Sequence, residues 1–421
     1  GGILEAFMKR LLFVLGILTV ASFLWSDGND AYATASDWFG LDPNAGQNSF
    51  LTLTIPGGGK YEGMATAHTA MALDEGYLES NPAGGSFLPN TILSFSHVDW
   101  IADSALETIA FAYRPEKNEN FGIGFNTKFL HVPFTGYNDW GSQYSRYGSS
   151  AVGWYTELIA TAAVSYNFLQ SFYFGGVSVG ASLKAGYRGV SASLEPGQSA
   201  MSLMGDFGIM TRFNFLKTYA ARDMNWGAGA TIKNLGAEFI DNPDPLPTYA
   251  SLGLSYKPIR PLTIALDFNV PFNLNGETAE KFSIAAGLNA EIASFVSAHS
   301  GVLIKTGKPR FTLGADVSLK NFTIQTNYTL DLASRMELFD RMSIAIKVDM
   351  DTVKQLLIKD DVQDLYLAGL DAYAQGNLSV AIGYFENTLS LDPTFKPARE
   401  MLATAKEAMN LEEELRNTLS Y

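Results

Sequence analysis

The chain has 421 residues, a net charge of −14 at neutral pH and no cysteine, and only 17% of its residues are charged. The absence of cysteine excludes disulfide scaffolds, thiol catalysis, iron–sulfur clusters and cysteine-based zinc sites, and the negative charge argues against nucleic-acid binding, which needs a basic surface. Glycine (39 residues) and aromatic residues (13%) are frequent, a composition more typical of many alternating strands than of a soluble enzyme.

The N-terminal 33 residues carry the three parts of a secretory signal. Two basic residues precede an apolar run over 11–25, and Ala31-Tyr32-Ala33 supplies small residues at alternate positions for cleavage. A membrane anchor is the alternative, but the run is shorter than the ~20 residues that a spanning helix needs. We predict a signal peptide over 1–33, cleaved after Ala33, with residues 1–7 preceding its natural start at Met8.

Residues 34–90 show no strand pattern. They contain Gly57-Gly58-Gly59-Lys60, which lacks P-loop spacing, and the element Asn81-Pro82-Ala83-Gly84. In such an element Asn bonds the backbone, Pro fixes φ and small residues permit close packing. A long segment without strands needs an ordered place in the fold. We therefore predict a hatch that fills a barrel, with an ordinary tight turn as the alternative for Asn81, Pro82, Ala83 and Gly84.

Within this segment, Tyr61–Ala67, Ala70–Glu75 and Asn81–Gly84 resemble the FadL-type outer-membrane transporters of long-chain fatty acids. The resemblance covers about 34–350 and is nearest to an uncharacterised spirochaete branch; barrel components of a bacterial secretion system share a similar N-terminal pattern. It implies a 14-stranded barrel and an N-terminal hatch. It also implies apolar ligands that bind outside, enter, and leave sideways through a gap in the wall.

The region 91–350 alternates apolar and polar residues with period two, as in Leu262–Val270 and Phe311–Lys320. The segments match the 9–11 residues of a tilted membrane strand rather than the 5–6 of a soluble strand. An even number of strands can close without an unpaired edge in lipid, so we predict an all-β transmembrane barrel of about 14 antiparallel strands. The predicted strands are 91–98, 106–114, 120–129, 154–167, 175–188, 200–215, 224–234, 247–257, 262–270, 281–291, 295–305, 309–319, 322–331 and 341–350.

The predicted connections alternate between long and short. Outer-membrane barrels place long loops outside and short turns in the periplasm. The sequence therefore predicts a bacterial outer-membrane protein with both termini and the tail in the periplasm. Asp267, Glu291 and Asp316 are predicted to face the lumen and to pair there with Lys184, Arg188 or Lys320, lining a wet pore. Acid–base chemistry by a pair of these carboxylates is the alternative.

The longest predicted loop is rich in aromatic residues. An apolar ligand needs a concave apolar surface with a few polar groups, so this loop is a candidate capture site; interface aromatics or loop packing are the alternative. The candidate ligand-binding residues are Val132, Phe134, Tyr137, Trp140, Tyr144 and Tyr147. Gly122 and Gly124 share the inward face of the third strand, where glycine marks a kink or close approach. They are candidates for a lateral gate, with relief of crowding around the hatch as the alternative.

The tail, residues 351–421, has the charge content of an ordinary soluble protein and a helical period of 3.6. Gly369, Ala381, Phe385 and Pro393 resemble the packing positions of one tetratricopeptide repeat. In that pattern small residues let two helices approach, Phe385 fills between them and Pro393 ends the second helix. We predict a small α-helical domain that leans on the barrel, self-associates or binds a periplasmic partner, with a passive cap under the pore as the alternative.

The four histidines are too scattered to predict a metal site or a catalytic triad, so we predict neither enzyme activity nor a cofactor. The predicted function is passive uptake of hydrophobic small molecules, by resemblance long-chain fatty acids. The expected partners are a hydrophobic ligand, outer-membrane lipid and, through the tail, a periplasmic protein. A scaffold that holds exported or periplasmic proteins through the tail is the alternative, and a porin for polar solutes is a third, weakened by the hatch.

Overall fold

The computed structural model describes residues 42, 44, 46–71, 74–100, 103–115, 118–135, 152–171, 174–219, 223–241, 243–276, 279–305, 310–331 and 339–419. The predicted signal peptide lies outside these residues. The chain divides after Asp349 into two compact units, a β-barrel with its internal segment and a group of helices.

Fourteen antiparallel strands close into one barrel, because β1 pairs with both β2 and β14. This confirms the predicted fold class and strand count. The strands are β1 Ile92–Asp99, β2 Ala105–Tyr113, β3 Phe121–Thr135, β4 Val152–Phe168, β5 Phe174–Val190, β6 Ala200–Phe213, β7 Trp226–Phe239, β8 Tyr249–Ile259, β9 Leu262–Pro271, β10 Ser283–Ala293, β11 Val296–Lys305, β12 Arg310–Leu319, β13 Phe322–Asp331 and β14 Phe339–Asp349.

The period-two pattern puts apolar side chains on the outer wall and polar ones in the lumen. Leu252, Leu254, Leu266 and Ile284 are exposed on the outside, whereas their neighbours point inward and are buried. Hydrocarbon is the solvent that suits such an outer surface.

Aromatic residues gather on the outer wall near both barrel ends. Trp154 lies near one end of β4 and Phe168 near the other, and the rings of Trp226 and Tyr256 stack at 4.4 Å. Two aromatic bands flanking an apolar belt are typical of barrels at the two membrane interfaces.

The two barrel ends differ in their connections. At the short-loop end, β8–β9, β10–β11 and β12–β13 are joined by two-residue turns, and β14 finishes there. The opposite, long-loop end carries the β3–β4 and β9–β10 connections. Asp42 accepts a hydrogen bond from the Lys281 backbone at 2.7 Å in the β9–β10 connection. The first described residues therefore lie at the end opposite Asp349. The predicted mature N-terminus lies outside the described residues, so the placement of both termini in the periplasm stays a prediction.

The described part of the hatch, residues 46–71 and 74–90, fills the lumen. It contains two short 3₁₀-helices, Leu51–Leu53 and Pro82–Phe87, and two short α-helices, α1 Gly59–Gly63 and α2 Tyr77–Ser80. The Pro82–Phe87 helix packs against β3–β6, and α1 packs against β11–β14. Tyr77 and Leu78 form an apolar cluster with Ala110 and Ala163 of the wall, so the hatch touches opposite sides of the barrel.

The second unit contains three helices, α3 Met350–Ala374, α4 Leu378–Leu391 and α5 Lys396–Leu419. Phe385 and Ala381 are fully buried among them, and a Cβ on Gly369 would lie 2.5 Å from the Phe385 ring. Pro393 follows the end of α4. These positions agree with the predicted packing, but assignment to the tetratricopeptide repeats stays a prediction. Among the described helices, none has the length and apolarity needed to cross a membrane.

Candidate functional site

Wall carboxylates bind the hatch backbone. Asp267 of β9 accepts hydrogen bonds from the backbone N–H groups of His68 and Thr69, both at 2.9 Å, and Glu157 of β4 accepts those of Leu51 and Thr52 at 3.0 and 2.8 Å. Hydrogen bonds to a charged acceptor are stronger than neutral ones. The luminal acids therefore hold the hatch in place.

This differs from the predicted wet pore. Lys184 does form an ion pair, but with Asp206 at 2.7 Å, and Arg188 pairs with Glu238 at 2.6 Å. Asp316 instead faces Lys60 of the hatch at 3.5 Å. The sequence placed these acids in the lumen correctly, but strand periodicity carries no information about which residues of a non-repetitive segment reach them.

Two buried ion pairs also join the hatch to the wall. Glu62 contacts Arg341 of β14 at 2.7 Å, and Glu79 contacts Lys128 of β3 at 2.7 Å. Lys128 also donates to the Ile55 carbonyl at 2.5 Å. Removing one member of such a pair leaves a buried charge without its partner, which is strongly unfavourable. Both pairs therefore fix the position of the hatch.

The Asn81-Pro82-Ala83-Gly84 element forms the start of the second 3₁₀-helix. The Asn81 side chain accepts from the Ala83 N–H at 3.1 Å and donates to the carbonyls of Thr69 at 2.9 Å and Ile209 at 3.2 Å. Asn81 thus caps a helix, ties two parts of the hatch together and bonds to β6. A Cβ on Gly180 of β5 would lie 2.4 Å from the backbone of this element, so the element packs directly on the wall.

Three polar side chains of the hatch, Ser80, His68 and Asp74, contact one another in series. The His68 Nδ1 lies 3.2 Å from the Ser80 hydroxyl, and its Nε2 lies 3.3 Å from Asp74. Burial opposes ionisation of Asp74, but His68, with Lys347 and Lys60, lowers the pKa of its carboxyl below the ordinary value. Ser80 and His68 are almost completely buried. A substrate therefore has no access to this Ser–His–Asp arrangement, whose role is structural.

Gly122 and Gly124 face the hatch. A Cβ on Gly122 would lie 2.3 Å from the Gly85 backbone, and one on Gly124 would lie 2.0 Å from the Tyr77 hydroxyl. β3 pairs with β4 without a register shift across both glycines. Because they lack a side chain, the two glycines leave room for the hatch, which agrees with the alternative interpretation, relief of crowding. A lateral gate at these residues stays a prediction.

A luminal chamber of about 160 Å³ lies between the hatch and the long-loop end. Leu51 and Leu53 form its hatch side, Leu303 adds an apolar wall, and Lys305 and Arg310 stand at the rim. Lys305 is paired with Glu280, which also accepts the Gly46 N–H at 3.0 Å. An apolar base with charged groups at one edge suits an amphipathic or apolar small molecule.

Tyr61 and Lys233 border the chamber on its inner side. The ammonium group of Lys233 lies 4.5 Å from the centre of the Tyr249 ring and donates to the Glu79 carbonyl at 2.7 Å. Burial, with Tyr249, Glu79 and Asp267 nearby, raises the pKa of the Tyr61 hydroxyl well above its ordinary value. Tyr61 is therefore neutral at physiological pH and presents an uncharged ring and hydroxyl to the chamber.

Two of the six candidate capture residues lie in a strand, and the other four lie outside the described residues. The sequence placed Val132 and Phe134 in a loop, but both belong to β3, which continues to Thr135 because it pairs with β4 to its end. Val132 packs against the buried cluster that includes Ile55 and Leu130. The other four candidates, Tyr137, Trp140, Tyr144 and Tyr147, lie outside the described residues. Ligand binding by any of these residues stays a prediction.

Strand periodicity does not reveal the chamber. Its hatch residues carry no motif, and its wall residues come from strands β7–β12, far apart in sequence. The alternation of the strands indicates that Lys233 and Lys305 point into the lumen. That both line the same chamber as Leu51 depends on the path of the hatch, which alternation does not predict. Among the described residues, no cluster of His, Asp and Glu is arranged to hold a metal ion.

A second concavity, of about 500 Å³, lies on the outer wall over β10–β14. Small outward side chains, Ala298, Ala315 and Thr326, form its base between Leu313 and Tyr328. Its apolar surface belongs to the face that suits lipid, and it lacks the convergent polar groups of the chamber.

Several Treponema pallidum (strain Nichols) proteins resemble the chain. One, named UPF0164 protein, is 27% identical over 398 residues, which cover 91% of this chain and 89% of that protein. Another of the same name is 24% identical and covers 85% of this chain and 75% of its own length.

Two solved structures are also similar at low identity. A FadL homologue of Pseudomonas aeruginosa is 12% identical, with a TM-score of 0.43, and covers 69% of this chain and 97% of its own. The P. putida toluene transporter TodX is 12% identical, with a TM-score of 0.38 and coverage of 69% and 97%. The model of the uncharacterised protein family UPF0164 matches residues 30–353, and the chain belongs to this family.

Proposed function

We propose that this protein is an outer-membrane channel for passive uptake of hydrophobic small molecules. The observation that carries the proposal is an amphipathic chamber inside a closed barrel whose outer wall is apolar. The long-loop end would face outward, so a ligand would reach the chamber before the hatch. The helical tail, which follows β14 in the sequence, would then lie in the periplasm.

The size of the chamber limits what it holds. A cavity of about 150 Å³ accommodates benzene, and the chamber measures about 160 Å³. It would accept a compact aromatic compound whole, or one end of a long-chain fatty acid with its carboxylate toward Lys305 and Arg310. We propose long-chain fatty acids as the ligand, with a monocyclic aromatic hydrocarbon as the comparison compound.

The direct test is mass spectrometry of lipids extracted from the purified protein, followed by titration with a fatty acid and with toluene. Ser283→Trp would fill the chamber from its β10 wall, whereas Ala286→Trp adds the same side chain to the outer face of the same strand. We expect the first variant to lose binding and the second to keep it. No apolar ligand in the extract and no saturable binding would contradict the proposal.

A scaffold function is the second candidate, because apolar side chains remain exposed on the tail. Leu411 and Leu415 lie on α5 beyond the residues that form the helical core and are more than half exposed. Deletion of 350–421 separates the two functions. Ligand binding that survives the deletion would favour uptake, whereas loss of a co-purifying protein, with no lipid bound, would favour the scaffold.

A further inference from the structure

Three cavities succeed one another along the lumen. The chamber shares Leu53 and Tyr249 with a second cavity of about 20 Å³, which lies between the hatch and the β3–β5 wall. The second shares Glu79 and Asn126 with a third, also of about 20 Å³. Cavities of this volume are large enough for a water molecule. The three adjacent cavities therefore follow one another from the long-loop end to the middle of the barrel.

The third cavity continues toward the short-loop end. It is lined by Lys60, Asp74 and Glu75, whose side chains keep 25, 13 and 13% of their surface exposed. Glu75 faces Lys347 at 4.0 Å, two residues before β14 ends. Solvent thus reaches the third cavity from the end of the barrel opposite the chamber.

The walls of the third cavity contain polar atoms that need a partner. Within the described part of the chain, Asn126 Oδ1 and Thr108 Oγ1 are buried without a hydrogen bond. Asn126 and Thr108 are more than nine-tenths buried. Buried polar atoms are costly unless they are hydrated or bonded, so these atoms mark a hydrated cavity.

We infer that a hydrated path for small inorganic ions runs lengthwise through the barrel, and that the Glu79–Lys128 ion pair closes it. Glu79 borders both small cavities, and its contact with Lys128 at 2.7 Å lies where they meet. The cavity on the chamber side is lined by Lys128, Lys184 and Glu79, and the other by Lys60, Asp74, Glu75 and Glu79. Removing either member of the pair would widen the junction and leave one sign of charge in excess.

The inference shares with the proposed function only the claim that the barrel crosses a membrane. Its test is current recording in planar lipid bilayers with potassium chloride. We expect Glu79→Ala and Lys128→Ala each to raise conductance several-fold, with reversal potentials shifted in opposite directions: toward chloride selectivity without Glu79, and toward potassium selectivity without Lys128. General loosening of the hatch would not give opposite shifts.

The matched control is the pair Glu62–Arg341, which joins hatch and wall at the same 2.7 Å but lines none of the three cavities. Glu62→Ala and Arg341→Ala should leave conductance at the wild-type level. A rise equal to that of the Glu79 and Lys128 variants would overturn the inference, because it would show release of the hatch. Unchanged conductance in all four variants would also overturn it.

Folding is verified by flotation with vesicles before recording. If a truncated variant fails to float, Glu79→Gln and Lys128→Met, which keep side-chain length, take its place and are expected to show the same opposite shifts. Failure of the wild-type protein to float would contradict membrane insertion and the path together. Ligand binding measured in detergent is independent of these currents, so loss of the path leaves uptake of hydrophobic compounds standing.

Discussion

At the scale of single residues, neighbouring positions on one strand experience different solvents. On β9, Leu266 has half of its surface exposed on the outer wall, whereas Asp267 is 2% exposed and holds the hatch through two backbone N–H groups. The sequence pattern predicted this phase. In a wet pore Asp267→Asn would have little effect, whereas the two observed hydrogen bonds to the hatch give the carboxylate a structural role.

Leu266→Arg is expected to cost ~2–4 kcal/mol of folding free energy, because a charge then faces hydrocarbon near the middle of a strand. Asp267→Asn should cost about 1–2 kcal/mol through weaker hydrogen bonds to the hatch. Denaturant titration in vesicles measures both values. Protease digestion should cut the hatch faster only in the Asp267 variant, and equal tolerance of the two changes would contradict the strand phase.

The glycines of β3 give a second test at this scale. Gly122→Ala places a methyl group against the Gly85 backbone, and overpacking of this kind costs about 1–3 kcal/mol. Gly205→Ala on β6 is the matched control, since its nearest atom lies 3.4 Å away. We expect a lower unfolding temperature for the first variant alone. A variant that keeps its stability but loses uptake would instead support a lateral gate.

At the scale of elements, the hatch contains a buried carboxyl group whose lowered pKa makes the stability of the hatch depend on pH. The folded state holds the Asp74 carboxyl at a lowered pKa through His68. A lowered carboxyl pKa contributes stability that is fully present above the unfolded value of about 3.9 and is lost as the pH falls below it toward the folded value.

Asp74→Asn should therefore destabilise the hatch at neutral pH, by about 1–3 kcal/mol, and the difference from the wild type should shrink below about pH 4. Protease resistance of the hatch, measured across a pH series, reports this difference. A constant difference down to the lowest pH would show that the Asp74 charge does not contribute.

The helical tail has a core of its own. Phe385 is fully buried among the three helices, and truncation of a buried Phe to Ala typically costs about 3–5 kcal/mol. Phe385→Ala should remove the helical signal in circular dichroism while the strand signal of the barrel remains. Loss of both signals together would contradict the division of the chain at Asp349.

At the scale of the whole molecule, alternation predicted twelve of the fourteen strands to within two residues, because one face of each strand contacts lipid and the other faces a polar interior. It underestimated β3, which ends at Thr135 rather than 129, and β7, which ends at Phe239 rather than 234. The chamber could not be predicted for a different reason. Leu51 and Glu79 contact strands that are distant in sequence, and such packing contacts leave no periodic pattern in the sequence.

The orientation of alternate side chains on one strand is the central claim, and the lack of native cysteine allows a direct test. Single cysteines at consecutive positions of β12, 311–317, are spin-labelled in vesicles, and collision rates with oxygen and with a water-soluble nickel complex are measured. We predict that labels at Phe311, Leu313, Ala315 and Val317 collide mainly with oxygen, whereas those at Thr312, Gly314 and Asp316 are shielded from it. Uniform accessibility along the strand, or nickel contact at the odd positions, would contradict a barrel wall set in lipid.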